Sequence, residues 1–358
     1  MQEVAQFSIG YERLLTPDGS LQATLPEALR SLDLQCNLYR TMTLARAFDA
    51  KAIALQRTGQ LGTYASTLGQ EAIGAAIGAA MAKDDVFLPN YRDTATLLAR
   101  GVSLFELLLY WGGDERGSDF TAVREDFPVC IPVSTQNGHA VGVATALQLR
   151  GQRRVALTTM GDGATSKGDF YEAINLSGVW NLPVVFVINN NQWAISVPRN
   201  QQSGAQTLAQ KSIAAGIRGI QVDGNDALAL WHTLHEALRQ ARQGDGATVI
   251  EALTYRLCDH TTADDAGRYR DDDEVGQHWR EDPIARLRTF LTNAGEWNKE
   301  DEETLIADNT RRIEEAVARY LDTPRQPVTA MFDFLYQTLP ESLIQQRAEA
   351  LTWDQNDE

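Results

Sequence analysis

Cysteine is scarce in this 358-residue chain, which has only Cys36, Cys130 and Cys258, none of them in a C-x-x-C pair. That excludes a disulfide framework and a paired-cysteine zinc or redox motif. An excess of basic charge is also missing. Lys and Arg number 32 against 48 Asp and Glu, for a net charge of −16. With no basic face to meet a phosphate backbone, nucleic acid is not an expected partner. A free anionic ligand is repelled at long range, so any phosphate site has to be built locally from a cation, an Arg and backbone N–H groups. No apolar run approaches the ~20 residues of a membrane span. The N-terminal MQEVAQFSIGYERLL has no basic segment leading into an apolar one and is not Arg-rich, unlike a secretory or organelle address. The expectation is a soluble, cytoplasmic protein with no membrane partner. No G-x-G-x-x-G follows the first strand, which argues against a nicotinamide-binding dehydrogenase. Of the five histidines, His232 and His235 are three apart. They lie in DALALWHTLHEALRQAR, where Trp231, Leu234, Leu238 and Ala241 form the apolar stripe of an amphipathic helix, so no metal role is assigned to them.

What is present is ordinary for a globular chain, with 43% hydrophobic and 22% charged residues. The length suits one large domain or two ordinary ones. Residues 1–34 are expected to be an N-terminal arm, because LLTPDGSLQ carries turn signals and little periodicity. A helix is expected over residues 38–56, followed by the three-glycine break TGQLGTYASTLGQ. EAIGAAIGAAM is a small-residue helix suited to close packing, either against a partner or within the domain. DVFLPNYRD is a short strand and loop, and TATLLARGVSLFELLLYWGG is helical with one Gly interruption. Residues 112–137 have little period. From HAVGVATALQLRG, a helix closed by Gly151, strands and helices alternate. The strands are RRVALTTM, LPVVFVINN, GIQVDG and ATVIEALTYRL, the last expected to be the longest. Alternation of this kind indicates an α/β domain over residues 35–270, with a parallel sheet flanked by helices. Residues 271–358 are charged, helical and broken by prolines, and are expected to form a helical C-terminal extension.

GDGAT occurs twice. The first copy, from Gly161, follows the strand VALTTM and opens a helix. Its glycines let the backbone turn sharply and approach a ligand. Asp162 then stands at the carboxyl end of a parallel strand, where open α/β sheets place their ligands, with a helix N-terminus behind it. That arrangement suits a diphosphate with Asp162 holding a divalent metal. The second copy, from Gly244, follows a helix and precedes a strand, so it is expected to be a cap and turn. One strand–helix–strand unit after Asp162 comes FVINNNQWAIS, which places Asn191 at a neighbouring strand tip. An Asp, an Asn and a backbone carbonyl, completed by phosphate and water, form a donor set for Mg²⁺.

GDGATSKGDFYEAINLSGVWNLPVVFVINNNQWAIS resembles the thiamine-diphosphate motif, and the chain from LYRTMTLARAFDAKA to FDFLYQTLPESL resembles the alpha subunit of the heterotetrameric, thiamine-diphosphate-dependent 2-oxo acid dehydrogenase. This is the first component of the pyruvate and branched-chain 2-oxo acid dehydrogenase complexes. The resemblance implies the thiamine-diphosphate-binding fold. It implies Asp162, Asn191 and the backbone oxygen of Trp193 as Mg²⁺ ligands, and backbone contacts to the diphosphate from Gly163 and Ala164. LPNYRD matches the family's Tyr-Arg pair, so Tyr91 and Arg92 should reach the diphosphate, an apt use of the guanidinium fork. IPVSTQ matches a loop whose backbone near Ile131 and Val133 lies against the cofactor ring. In some relatives this loop also holds a monovalent cation, and by match Pro132, Thr135 and Gln136 could hold K⁺ here. YRLCDHTTADDAGRYR matches the active-site loop. There His260 binds at the cofactor and assists acyl transfer to lipoamide, and Arg256, Asp264, Tyr269 and Arg270 order the loop. Asn189, just before the NN pair, is assigned no role, and His139 is taken as structural.

In the family, the Glu needed to generate the reactive form of the cofactor lies on a beta subunit. This chain has no second α/β domain to supply one. The expectation is therefore an enzyme active only as an alpha2-beta2 heterotetramer, delivering acyl groups to a lipoyl-bearing acyltransferase component. QLGTYASTLGQEA resembles pyruvate-type relatives, with Tyr64 and Ser66 as candidate lining of the acyl pocket. Branched-chain 2-oxo acids are the runner-up substrates and acetoin comes third. One extra methylene is worth only ~1–3 kcal/mol in an apolar pocket.

Overall fold

Six strands form one parallel sheet in the computed structural model, which describes residues 1–354. In chain order the strands are β1 (Gly10–Glu12), β2 (Val86–Leu88), β3 (Ala156–Gly161) and β4 (Val184–Asn190), then β5 (Trp193–Ala194) and β6 (Val197–Pro198), which form a separate small hairpin, and finally β7 (Arg218–Asp223) and β8 (Thr248–Leu253). The sheet order is β1-β7-β8-β4-β3-β2. All seven residues of β4 are buried, and its apolar run from Val184 to Ile188 is what a strand covered on both faces requires. Val184, Phe186 and Ile188 pack with α5 (Thr135–Leu149) and α6 (Gly168–Trp180). By alternation Val185 and Val187 face the other layer, where α9 (Ala227–Gln243) packs on β4, β7 and β8.

The remaining helices of this unit are α1 (Leu32–Arg57), α2 (Glu71–Ala80), α3 (Thr94–Ala99), α4 (Leu104–Trp111), α7 (Arg199–Gln202), α8 (Lys211–Ala214), α10 (Asp272–His278), α11 (Pro283–Asn293) and most of α12 (Lys299–Leu321). A capping box between Ser103 and Glu106 starts α4, and Pro283 at the first turn starts α11. The chain divides into two compact units, Met1–Val317 and the residues from Ala318 on. The second contains α13 (Ala330–Asp333) and α14 (Glu341–Asp354).

Several expectations change. The N-terminal stretch is not merely an arm, because β1 pairs in parallel with β7 and forms the sheet edge. Residues 271–317 belong to the first unit, so the change of composition at 271 is not a unit boundary. The last four residues of the expected extension lie outside the described residues. β8 stops at Leu253 and is not the longest strand. Beyond it, the N–H groups of Thr254 and Arg256 still donate to the carbonyls of Asn190 and Asn191 (2.9 and 3.2 Å). α5 starts at Thr135, inside the stretch taken as aperiodic. The small-residue helix α2 packs within the chain: a Cβ on Gly74 would meet Ala95 Cβ at 2.7 Å, and one on Gly78 would meet Ala99 Cβ at 2.3 Å. The second GDGAT is a cap and turn, with Gly244 left-handed after α9 and Thr248 opening β8. No helix among the described residues is long and apolar enough to cross a membrane.

Candidate functional site

The carboxyl ends of β2, β3, β4 and β8 and the loops that follow them surround a cavity of about 220 Å³. Asn90, Tyr91 and Arg92 come from the loop after β2, and Gly161 to Ala164 from the turn after β3. Asn189, Asn191 and Trp193 to Ile195 come from the end of β4 and the hairpin, and His260 from the loop after β8. The residues from Cys130 to Ser134, together with Gln136, close one side. Asp162 and Asn191 lie on the same rim because β3 and β4 are neighbours, with Gly161 paired to Asn189.

Asp162 is 3% exposed. Its Oδ2 accepts a hydrogen bond from Gln202 Nε2 at 2.9 Å. It forms no ion pair among the described residues, and burial raises its carboxyl pKa above the ordinary value. A buried carboxylate without a counter-ion is costly unless a cation joins it. Asn191 donates from Nδ2 to Gln70 Oε1 at 3.0 Å, and its Oδ1 accepts from the Trp193 N–H at 3.3 Å. Asp162, Asn191 and Trp193 line the cavity together and offer it one carboxylate, one carboxamide and one backbone carbonyl. Such a set fits Mg²⁺ and not zinc, and no cluster of three His, Cys, Asp or Glu able to hold a metal occurs among the described residues. α6 begins only at Gly168, so its N-terminus does not stand directly behind Asp162 as expected. A 3-10 turn over Asp162–Ser166 intervenes, closed by Thr165 Oγ1 donating to Asp162 O at 2.8 Å. Gly163 permits the close approach of the hairpin, since a Cβ there would lie 2.6 Å from Ala194 Cβ.

Two guanidiniums are also buried at this end of the sheet. Arg92 is 7% exposed and Arg256 is fully buried, and neither pairs with a carboxylate among the described residues. Carbonyls hold them instead. Arg92 donates to Ser66 O, and from Nη2 to His260 O at 2.8 Å. Arg256 donates to Trp193 O (3.3 Å) and Ile195 O (2.9 Å), and to the Tyr269 hydroxyl at 2.8 Å. Both guanidiniums face His260 Nδ1, at 3.3 and 3.5 Å. A guanidinium only donates, so Nδ1 is the acceptor and the proton sits on Nε2. Burial, then Arg92 and Arg256, push the His260 pKa down to about 4, so the ring is neutral near pH 7. The loop that carries it is cross-braced. Asp264 Oδ2 accepts from the His260 N–H at 2.8 Å and from the Tyr269 hydroxyl, and Arg270 donates to the carbonyls of Arg256 and Cys258.

The backbone is strained around this cavity. Ser134, Gln192 and Ile195 all have positive φ (73°, 70° and 55°). Left-handed backbone is rare for a β-branched residue, and Arg256 holds Ile195 there through its carbonyl. Non-glycine strain of this kind collects at functional sites. Ile131, Val133 and Ile195 form an exposed apolar rim (54%, 46% and 55%).

From residue 39 to residue 329 the sequence matches the family model described as dehydrogenase E1 component. The chain belongs to this family. The curated relatives it resembles include the pyruvate dehydrogenase E1 component subunit alpha of Staphylococcus aureus, 43% identical over 310 residues, covering 86% of this chain and 84% of the relative. The subunits of the same name from Bacillus subtilis and Bacillus cereus are 41% and 40% identical, covering 86% and 91% of this chain and 84% and 87% of theirs.

Of the residues singled out from sequence in this E1 family member, Tyr91, Arg92, Ile131, Pro132, Val133, Gln136, Asp162, Gly163, Ala164, Asn191, Trp193 and His260 all line the cavity. Thr135 does not. Tyr64 and Ser66 are not in the lining either, because their hydroxyls turn away to the buried Asp49. They sit behind Arg92, which binds the Ser66 carbonyl. His139 is exposed, with its ring against Phe127. Sequence reasoning gave Asn189 no role, yet it lines the cavity, and its buried Oδ1 has no partner among the described residues. Its place in a three-Asn run at a strand end was the available signal. Gln202 and Ile195 had no such signal.

Proposed function

We propose that this chain is the alpha subunit of a pyruvate dehydrogenase first component that binds thiamine diphosphate with Mg²⁺, releases CO₂ from pyruvate and passes the acyl group to a lipoyl-bearing acyltransferase. The names of its relatives support this reading. The observation that carries it is the charge gathered at this end of the sheet: among the described residues, a buried carboxylate in no ion pair, and two guanidiniums, Arg92 and Arg256, paired with no carboxylate. A divalent metal and a diphosphate together satisfy both.

In this reading Asp162, Asn191 and the Trp193 carbonyl hold Mg²⁺. Tyr91, Arg92 and the backbone of Gly163 and Ala164 hold the diphosphate, which an acidic chain would otherwise repel. The backbone of Ile131 and Val133 supports the cofactor ring. K⁺ beside Pro132, Thr135 and Gln136 belongs to the same proposal, supported by the buried Gln136 Oε1, which has no partner among the described residues. Bound thiamine diphosphate supplies a nucleophilic carbon and an electron sink for the decarboxylation. His260, kept neutral by its two arginines, donates from Nε2 and moves a proton during acyl transfer. Arg256, Asp264, Tyr269 and Arg270 keep that ring in place. Among the described residues, Asp162 is the only acidic one lining the cavity, and metal binding occupies it. A carboxylate for proton transfer must then come from a beta subunit, docked on the apolar rim of Ile131, Val133 and Ile195 in an alpha2-beta2 heterotetramer.

The test is reconstitution. The alpha–beta pair should bind thiamine diphosphate in a Mg²⁺-dependent way and turn over pyruvate faster than 3-methyl-2-oxobutanoate, while the chain alone is inactive. Turnover by the isolated chain, or metal-independent binding, refutes the proposal.

A further inference from the structure

A carboxamide ligates a hard cation only through its oxygen, and its two orientations differ by exchange of O and NH₂. Something must therefore choose the orientation of Asn191. Gln70 is the group in contact. It is 3% exposed, and its Oε1 accepts from Asn191 Nδ2 at 3.0 Å. That bond ties down the NH₂ end and leaves Oδ1 as the free end, apart from the Trp193 N–H at 3.3 Å. Gln70 Nε2, by contrast, has no partner among the described residues, so only the oxygen of this side chain is used. The turn that carries Gln70 is held from two sides. The Gly69 N–H donates to Glu71 Oε2 at 3.0 Å, and the Gly69 carbonyl accepts from Thr254 Oγ1 at 3.1 Å. Glu71 is itself fully buried and paired with Arg46 at 2.7 Å. Gly69 has φ +87° and sits against Leu257, which leaves the turn little freedom to move.

We infer that Gln70 is a positioning residue for the metal site: its acceptor oxygen fixes the amide of Asn191 so that Oδ1, and not the NH₂, faces the ion. The inference rests on the Mg²⁺ role proposed for Asn191. Partners of this kind set ligand orientation at metal sites, and losing one typically weakens metal affinity about 10–100-fold.

The test uses the alpha–beta complex with thiamine diphosphate and follows Mn²⁺, standing in for Mg²⁺, by electron paramagnetic resonance titration. Gln70→Leu removes the acceptor at similar size and should weaken Mn²⁺ binding by about 10–100-fold. Gln70→Glu keeps an acceptor oxygen for Asn191 while changing the local charge, so it should weaken Mn²⁺ binding clearly less than Gln70→Leu does. A structural role alone would not separate the two variants in this way. Equal affinity in Gln70→Leu and the parent overturns the inference while leaving the proposed function intact, as does equal loss in both variants. A parent complex that binds no Mn²⁺ overturns both.

Discussion

Replacing Asp162 by Asn should raise stability without ligand and abolish stabilisation by ligand. The carboxylate is buried, has one neutral side-chain partner in Gln202 and forms no ion pair among the described residues, Arg256 offsetting only part of the cost of burial. Burial raises its pKa, so the charged form is disfavoured in the fold. The fold is penalised as pH rises above the ordinary carboxyl value of 3.8, and the penalty persists at neutral pH. Asn occupies the same space, can still accept from Gln202 and carries no charge. Relieving an active-site penalty of this sort gains about 0.5–2 kcal/mol, or roughly 1–4 °C in melting temperature for a chain of this size. The parent protein gains more when loaded. At ligand concentrations 100 times Kd, Mg²⁺ with thiamine diphosphate would add about 2.7 kcal/mol, and the variant should lose this because a neutral amide is a poor replacement for the carboxylate. Calorimetry of the alpha–beta complex at one scan rate, with and without Mg²⁺ and cofactor, should therefore show the two melting curves change order. A variant that melts lower than the parent without ligand, or that keeps the ligand shift, would show that Asp162 is not an uncompensated charge awaiting a cation.

Gly163→Ala should cost about 1–3 kcal/mol through overpacking against Ala194, because its new Cβ would stand 2.6 Å from Ala194 Cβ. In contrast Gly276→Ala, on exposed α10 with nothing within 4 Å, should gain up to about 1 kcal/mol; equal melting temperatures for the two variants would refute the packing argument. The His260 pKa is lowered from 6.5 to about 4, so the unfolded chain takes up this proton near pH 6.5 and the fold does so only near pH 4. Stability should therefore decline as pH falls through that window, and His260→Gln should make the decline shallower in denaturant titrations, whereas identical slopes would contradict the buried, arginine-flanked neutral ring.

Much of this arrangement was legible in one dimension. The apolar runs of β3 and β4, bounded by Gly161 and by the Asn run, mark parallel strands, and the helix between them puts Asp162 and Asn191 at adjacent tips. The same local logic separates the two GDGAT copies, since a helix before Gly244 and a strand after it leave only a turn. Short-range pattern failed where a segment's partner was distant. β1 is three residues with no signature of its own and becomes a strand only because β7 presents an edge to it. The small residues of α2 announce close packing but not against what, and α3 turned out to be the neighbour.

By itself, the sequence determined the parallel α/β sheet and the placing of Asp162 and Asn191 at neighbouring strand tips, because the periodicity of a strand–helix–strand unit is set within a few tens of residues. Only the tertiary structure decided how that pair is held and what faces it. Gln202 reaches Asp162 across 40 residues, Gln70 reaches Asn191 across 121, and Arg92 reaches His260 across 168. It also turned Tyr64 and Ser66 away from the cavity to Asp49. Contacts of that span depend on how the loops close over the sheet edge, and no local periodicity encodes that closure.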